Sequence, residues 1–284
     1  MSAESLALLS AFFLAISGIA ARFGLLRQPS PFTAFITFSS GAAAAWVVIL
    51  VFQLPLPGQA AAMLFALRGV LDPGIAALLI FAAFRKIGLS ITIPIIAAAP
   101  LVSTTLSVLF LGESLALVTV LGTVLVIGGV AMLSLKRDGK RAGFRHLSLA
   151  IVGAALIGVS IVLAKLGLNI SPSPVPGLAV SFTSGALLHV VVIGSLGKWR
   201  EISFGFGKSG FFVLSGLLAA IGFGFNYAAF AVGFVSVVAP IVAVQPLFTL
   251  LLSRILLRKV ELINKYTVAG TFLIVACAAL LTAF

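Results

Sequence analysis

The 284-residue chain is 62% hydrophobic and 8% charged, with a mean hydropathy of +1.30, which leaves too little polar surface to cover a soluble globule. Its net charge of +12 comes from short basic clusters between apolar runs, without interleaved aromatics, which suits a membrane flank and not a nucleic-acid surface. A single cysteine, Cys277, excludes an intrachain disulfide.

In lipid only helices and closed barrels satisfy every backbone group. The apolar runs are about 20 residues long, not the alternating segments of about ten that build a barrel, so the sequence predicts a polytopic helical protein. The runs fall at roughly 5–26, 32–53, 62–84, 91–110, 117–135, 147–168, 177–196, 210–232, 237–257 and 266–284. The first starts with Glu4 and no Lys or Arg, and is expected to stay as a helix instead of being removed as a signal peptide. Arg68, Asp72 and Pro73 interrupt the third, and its clean part from Gly74 to Phe84 is too short to cross. Its counterpart around Gly210 to Phe230 is uninterrupted, so ten spans are expected.

That counterpart exists because the chain repeats itself. Ser90-x3-Pro94-x5-Pro100-Leu101 returns 146 residues later as Ser236-x3-Pro240-x5-Pro246-Leu247. Ala83-Phe84 matches Ala229-Phe230 in the same register. Ser17, Ala21-Arg22, Gly24-Leu25 and Pro29-Ser30-Pro31 recur as Ser160, Ala164-Lys165, Gly167-Leu168 and Pro172-Ser173-Pro174; Ser40-Gly41-Ala42 recurs as Ser184-Gly185-Ala186, and Gly122-Thr123 as Gly270-Thr271. The halves divide as 1–141 and 142–284. A repeat of five spans is odd-numbered, so the second copy is expected upside down relative to the first. Proline removes a donor and clashes with the preceding turn, so Pro94, Pro100, Pro240 and Pro246 predict matching kinks or breaks in the fourth and ninth runs, the best sequence pointer to a transporter's central site, and are the candidate gating prolines.

Fifteen of the eighteen Lys and Arg residues lie in or beside the odd-numbered loops. The positive-inside rule then puts those loops in the cytoplasm and both termini outside.

With Pro100 and Pro246 in the fourth span of each half and Gly112-Glu113 or Val260-Glu261 opening the next, the chain resembles the EamA-type family of the drug/metabolite transporter superfamily over essentially its whole length. The resemblance implies a ten-helix secondary transporter with a central cavity, in bacteria often an exporter of amino acids or other small metabolites across the inner membrane. Members are usually drawn with both termini in the cytoplasm, and the charge distribution here points the other way.

Three basic residues stand outside the loops: Arg22, Arg68 and Lys165. Arg22 and Lys165 are repeat equivalents. Either they snorkel to headgroups or they form a gating or anion-attracting pair. Arg68 and Asp72 are four apart and can pair on one helix face. The pair is either structural or substrate-facing, with Arg68 meeting a carboxylate or phosphate and Asp72 holding it or taking a proton. Asp72 is the one acid expected within the membrane, which disfavours the unpaired-glutamate cation exchange of small multidrug exporters and favours anionic or zwitterionic cargo.

Trp46, His189, Asn226, Tyr227 and Gln245 complete the candidate substrate-contacting set, with Ser103 and Thr104 as further polar candidates. Each also has a plain reading as an interface anchor or helix-to-helix hydrogen bonder. The composition lacks the acid, histidine and cysteine clusters of a membrane enzyme or metal site, and the ring or filter sequence of a channel. Multidrug or cation efflux on the same fold is the nearest rival. The partners expected are a small-molecule substrate and the lipid bilayer, for a monomeric chain without nucleic acid or cofactor.

Overall fold

The computed structural model describes residues 1–27, 33–87, 92, 95–96, 98–114, 117–134, 144–197, 206–256, 269 and 273. The described residues form α1 (Ala3–Arg27), α2 (Thr33–Phe52), α3 (Gln59–Gly69), a wide π-type turn (Val70–Ile75) and α4 (Ala76–Ile87), followed by α5 (Ala99–Leu111), α6 (Leu117–Ser134), α7 (Phe144–Ile170), α8 (Pro174–Ser195), α9 (Phe206–Val232), α10 (Val235–Val242) and α11 (Gln245–Leu256). No strand occurs among them. Six stretches are long and apolar enough to cross a membrane: Ala3–Ala21, Thr33–Phe52, Gln59–Ile80, Leu147–Ile170, Pro174–Ser195 and Ser209–Val232.

The burial pattern inverts that of a soluble protein. Ala7, Ala11, Ala15, Ala45, Ala61 and Ala76 are buried, whereas Leu50, Val51, Phe52, Leu109 and Phe110 face outward. Lipid tails are as apolar as leucine, so large side chains gain nothing by leaving them, and small residues win the helix contacts because they let backbones approach closely. A β-carbon on Gly69 would overlap the Ser181 carbonyl and the Ser184 hydroxyl; one on Gly216 would overlap the Thr37 carbonyl and the Ser40 hydroxyl. The same pair of contacts is therefore made in both halves.

That correspondence exposes a one-residue difference. Gly69 and Ala83 are 14 positions apart, whereas Gly216 and Ala229 are 13 apart. The π-type turn absorbs the additional residue, and Asp72 within it has extended backbone angles (φ −146°, ψ 119°). The third run is thus two helices joined by a widened turn, a local form that recurs at functional sites.

The expected kinks in the fourth and ninth runs are breaks. In the ninth, α10 ends at Val242, and α11 begins at Gln245 with Pro246 in its first turn. Pro100 holds the same place in α5, where its missing N–H leaves no helical carbonyl unpaired. The turns match bond for bond. Val244 N–H donates to Ile241 O at 3.1 Å and Leu247 N–H to Val244 O at 2.9 Å, while Ala98 N–H donates to Ile95 O at 3.1 Å and Leu101 N–H to Ala98 O at 2.9 Å. Pro240 lies inside α10. Pro94 lies outside the described residues.

Helices of the first half pack mainly on helices of the second. α1 runs along α9, α2 contacts α8 and α9, α3 and α4 contact α7, and the π-type turn lies against α8. The interior between the halves collects Phe65, Phe182, Tyr227 and Phe230.

Candidate substrate site between the halves

Arg68 sits in the last turn of α3, 2% exposed. Its Nη2 is 3.6 Å from Asp72 Oδ2 across the helix-to-turn junction, so the i,i+4 pairing expected from sequence is made. Its guanidinium carbon lies 5.3 Å from the ring centroids of both Phe223 and Tyr227, four residues apart on α9. Rings at that range stabilise a cation through their quadrupoles without using its N–H groups. Arg68 Nε and Nη1 have no hydrogen-bond partner among the described residues. Buried guanidinium donors are normally satisfied, because an unmade bond there costs about 1–3 kcal/mol, and more for a charged group.

The rings are held from behind. Ser181 Oγ on α8 is 2.8 Å from Phe65 O and 2.9 Å from Gly177 O. Both are acceptors, so the serine hydrogen goes to a carbonyl and the Tyr227 O–H donates to Ser181 Oγ at 2.6 Å. With its hydroxyl committed, Tyr227 offers Arg68 a fixed ring face.

His189 on α8 is buried with Nε2 3.2 Å from the Gly74 carbonyl at the end of the π-type turn. A carbonyl accepts only, so Nε2 carries the hydrogen, and Nδ1 has no partner among the described residues. The histidine ties α8 to the turn that carries Asp72.

The remaining candidates lie elsewhere. Trp46 Nε1 donates to Thr183 Oγ1 at 2.9 Å and joins α2 to α8. Asn226 is buried one position before Tyr227, about 100° around the helix from it. Gln245 opens α11 at the break, half-buried, where its carbonyl accepts from Thr249 Oγ1 at 3.1 Å. Ser103 is bonded to its own helix at Pro100 O, 3.2 Å away, while the buried Thr104 Oγ1 has no partner among the described residues. Lys165 Nζ donates to Phe230 O at 2.7 Å and Gly233 O at 2.9 Å, and so stabilises the carbonyl end of α9. The Arg22 side chain lies outside the described residues.

The chain matches the EamA-like transporter family over residues 1–135 and 145–283. It belongs to that family. EamA-like transporters are part of the drug/metabolite transporter superfamily, and the two matched segments account for nearly all of this one. It is also similar in fold to a solved structure titled only "Crystal structure of protein", with TM-score 0.79 and 17% identity over 99% of this chain and 96% of that one. No curated protein matches. Among the described residues of this EamA-like transporter, no group of three or more His, Cys, Asp or Glu side chains is placed to hold a metal ion.

Two parts of the arrangement, Phe223 and Ser181, were not among the sequence-derived candidates, and the role of Glu113 was not expected. Phe223 carried a signal, an aromatic four residues before Tyr227 on the same helix. So did Ser181, whose repeat counterpart is the hydroxyl of Thr37. Glu113, expected at a helix end, is buried, and its carboxylate accepts from Val235 N–H at 2.8 Å and Ser236 N–H at 2.9 Å. Its recurrence as Glu261 was the available sign.

Proposed function

We propose that this EamA-like protein is a secondary active transporter of the bacterial inner membrane, exporting a small anionic or zwitterionic metabolite by alternating access. Ten helices in two inverted five-helix repeats are its proposed architecture, with both termini periplasmic. The packing of first-half helices on second-half helices supports a site between two bodies that rock against each other. The breaks beside Pro100 and Pro246 supply matched places for flexing.

One observation carries the choice of cargo: Arg68, buried against two aromatic rings, has no partner for Nε or Nη1 among the described residues and holds Asp72 by a single long contact. A structural ion pair would saturate its donors. Each unpartnered N–H of Arg68 neighbours Nη2, so a carboxylate, phosphate or sulfonate can make a two-point contact on the Nε/Nη2 or the Nη1/Nη2 edge by sharing or replacing the long Nη2 contact with Asp72.

A thermal-stability screen of purified protein against carboxylates, organic phosphates, amino acids and nucleosides tests the class, since a ligand of the native state raises its stability by mass action. Cargo is then followed in proteoliposomes with Arg68→Ala, Asp72→Ala and the double variant. Arg68→Ala strands a buried acid and should destabilise by about 3–5 kcal/mol. The double variant should regain stability without transport. Full transport by the double variant would remove Arg68 from the site.

A further inference from the structure

We propose that Asp72 is the proton carrier of this transporter, and that each anion bound at Arg68 brings one proton onto the Asp72 carboxylate. This rests on Arg68 being the anion anchor.

In the empty site Arg68 and Asp72 face each other at 3.6 Å with no net charge. An anion held by the Nε–H or Nη1–H of Arg68 would leave one positive and two negative groups within a few ångströms, inside a chain whose surroundings are lipid. A net negative charge there is strongly disfavoured. A proton taken from water onto an Asp72 oxygen restores neutrality. The empty carrier holds Arg68 cation and Asp72 anion; the loaded one holds Arg68 cation, bound anion and Asp72 as the neutral acid. The unit crosses neutral in both directions, with anion and proton moving together, so net export is driven by the cargo's own outward gradient and opposed by an inward proton gradient.

The local structure suits that exchange. Asp72 occupies the extended position of the π-type turn that absorbs the first half's additional residue, so its carboxyl hangs from non-helical backbone. Arg68 touches it through one nitrogen, which an incoming anion can replace. The Asp72 side chain is 18% exposed while Arg68 is nearly closed off, so of the pair the acid is the one that keeps surface outside the packed helices.

Most of the other titratable and charged groups on elements packed against the turn do not supply the proton. On α8, His189 gives Nε2–H to Gly74 O and leaves Nδ1 without a partner among the described residues, so it is the rival proton site, which His189→Gln removes. On α9, Tyr227 donates to Ser181. On α7, Lys165 is bonded to Phe230 O and Gly233 O, and Arg145 and His146 stand at the opposite end of that helix. On α4, Arg85 and Lys86 come 13 and 14 positions after Asp72.

The probe is benzenesulfonate, which stays ionised across the working pH range and cannot carry a proton itself. Purified protein in weak buffer with a pH indicator is titrated with sodium benzenesulfonate, and with sodium chloride at equal ionic strength. The expected result is uptake of one proton per anion bound, with affinity falling up to tenfold per unit rise in pH. Asp72→Asn should bind benzenesulfonate without proton uptake and independently of pH, and His189→Gln should keep the wild-type slope. Anion binding by the wild type with no proton uptake would overturn the proposal, and so would an unchanged slope in Asp72→Asn; either leaves the anchor intact. No benzenesulfonate binding beyond the chloride control, or binding that Arg68→Gln leaves unchanged, would overturn the anchor and this proposal together. The wild-type measurement decides the matter even if Asp72→Asn does not fold.

Discussion

Glu113 and Lys165 grip the two ends of one elbow. The Glu113 carboxylate accepts from Val235 and Ser236 at the start of α10, and Lys165 Nζ donates to Phe230 O and Gly233 O at the end of α9. Each charge meets the helix end of opposite partial sign. One residue comes from each half of the chain, so the elbow is a point where the halves are fastened together.

Glu113→Ala leaves two N–H groups at a buried helix start without their charged acceptor. Unfolding stability in detergent should fall by about 1.5–3 kcal/mol, the range for a hydrogen bond to a charged group. Glu113→Gln, which keeps one acceptor oxygen, should lose less. A melting temperature unchanged in both variants would mean that the carboxylate is not holding α10.

Gly69 and Gly216 sit where helices from different halves come closest, and a methyl group at either would overlap a backbone carbonyl. Backbone cannot step aside as a side-chain tip can. Gly69→Ala and Gly216→Ala should each cost about 1–3 kcal/mol through overpacking. Gly18→Ala is the contrast, since nothing lies within 4 Å of the added carbon, and alanine in a helix interior gains about 0.5–1 kcal/mol over glycine. Chemical denaturation of the three variants should split them by sign; equal effects would contradict the packing account.

A β-carbon on Gly233 would collide with Ala3, so the start of α1 lies on the same face as the α9 to α10 elbow. With fifteen of eighteen basic residues beside the odd-numbered loops, that face should be periplasmic. Alkaline phosphatase fused to either terminus should be active, and a fluorescent protein there dark. The opposite pattern would reverse the assignment.

The proline breaks were legible because their cause is local. A ring that removes a donor perturbs its own turn wherever the helix packs, and the repeat marked both copies. Sequence alone left open whether the helices bent or parted, and the turns at Ala98 and Val244 show that they part. The extra residue in the first half was also present in the sequence, as a drift in the repeat from 147 at Gly69 and Gly216 to 146 at Ala83 and Ala229. Which turn would absorb it was not.

Composition and period settled the helical membrane class, because lipid leaves the backbone little choice. The spacing of Arg68 and Asp72 made their pairing available, but it is the π-type turn, with Asp72 on extended backbone, that brings the carboxylate to 3.6 Å from Arg68. Placing Phe223 and Tyr227 over that arginine, Ser181 behind the tyrosine, and Glu113 on a helix start 122 positions away was decided by tertiary structure. Those contacts join segments far apart in the chain, and what brings them together is the close approach that small residues such as Gly69 and Gly216 allow between helices, a property of helix surfaces and not of any local pattern.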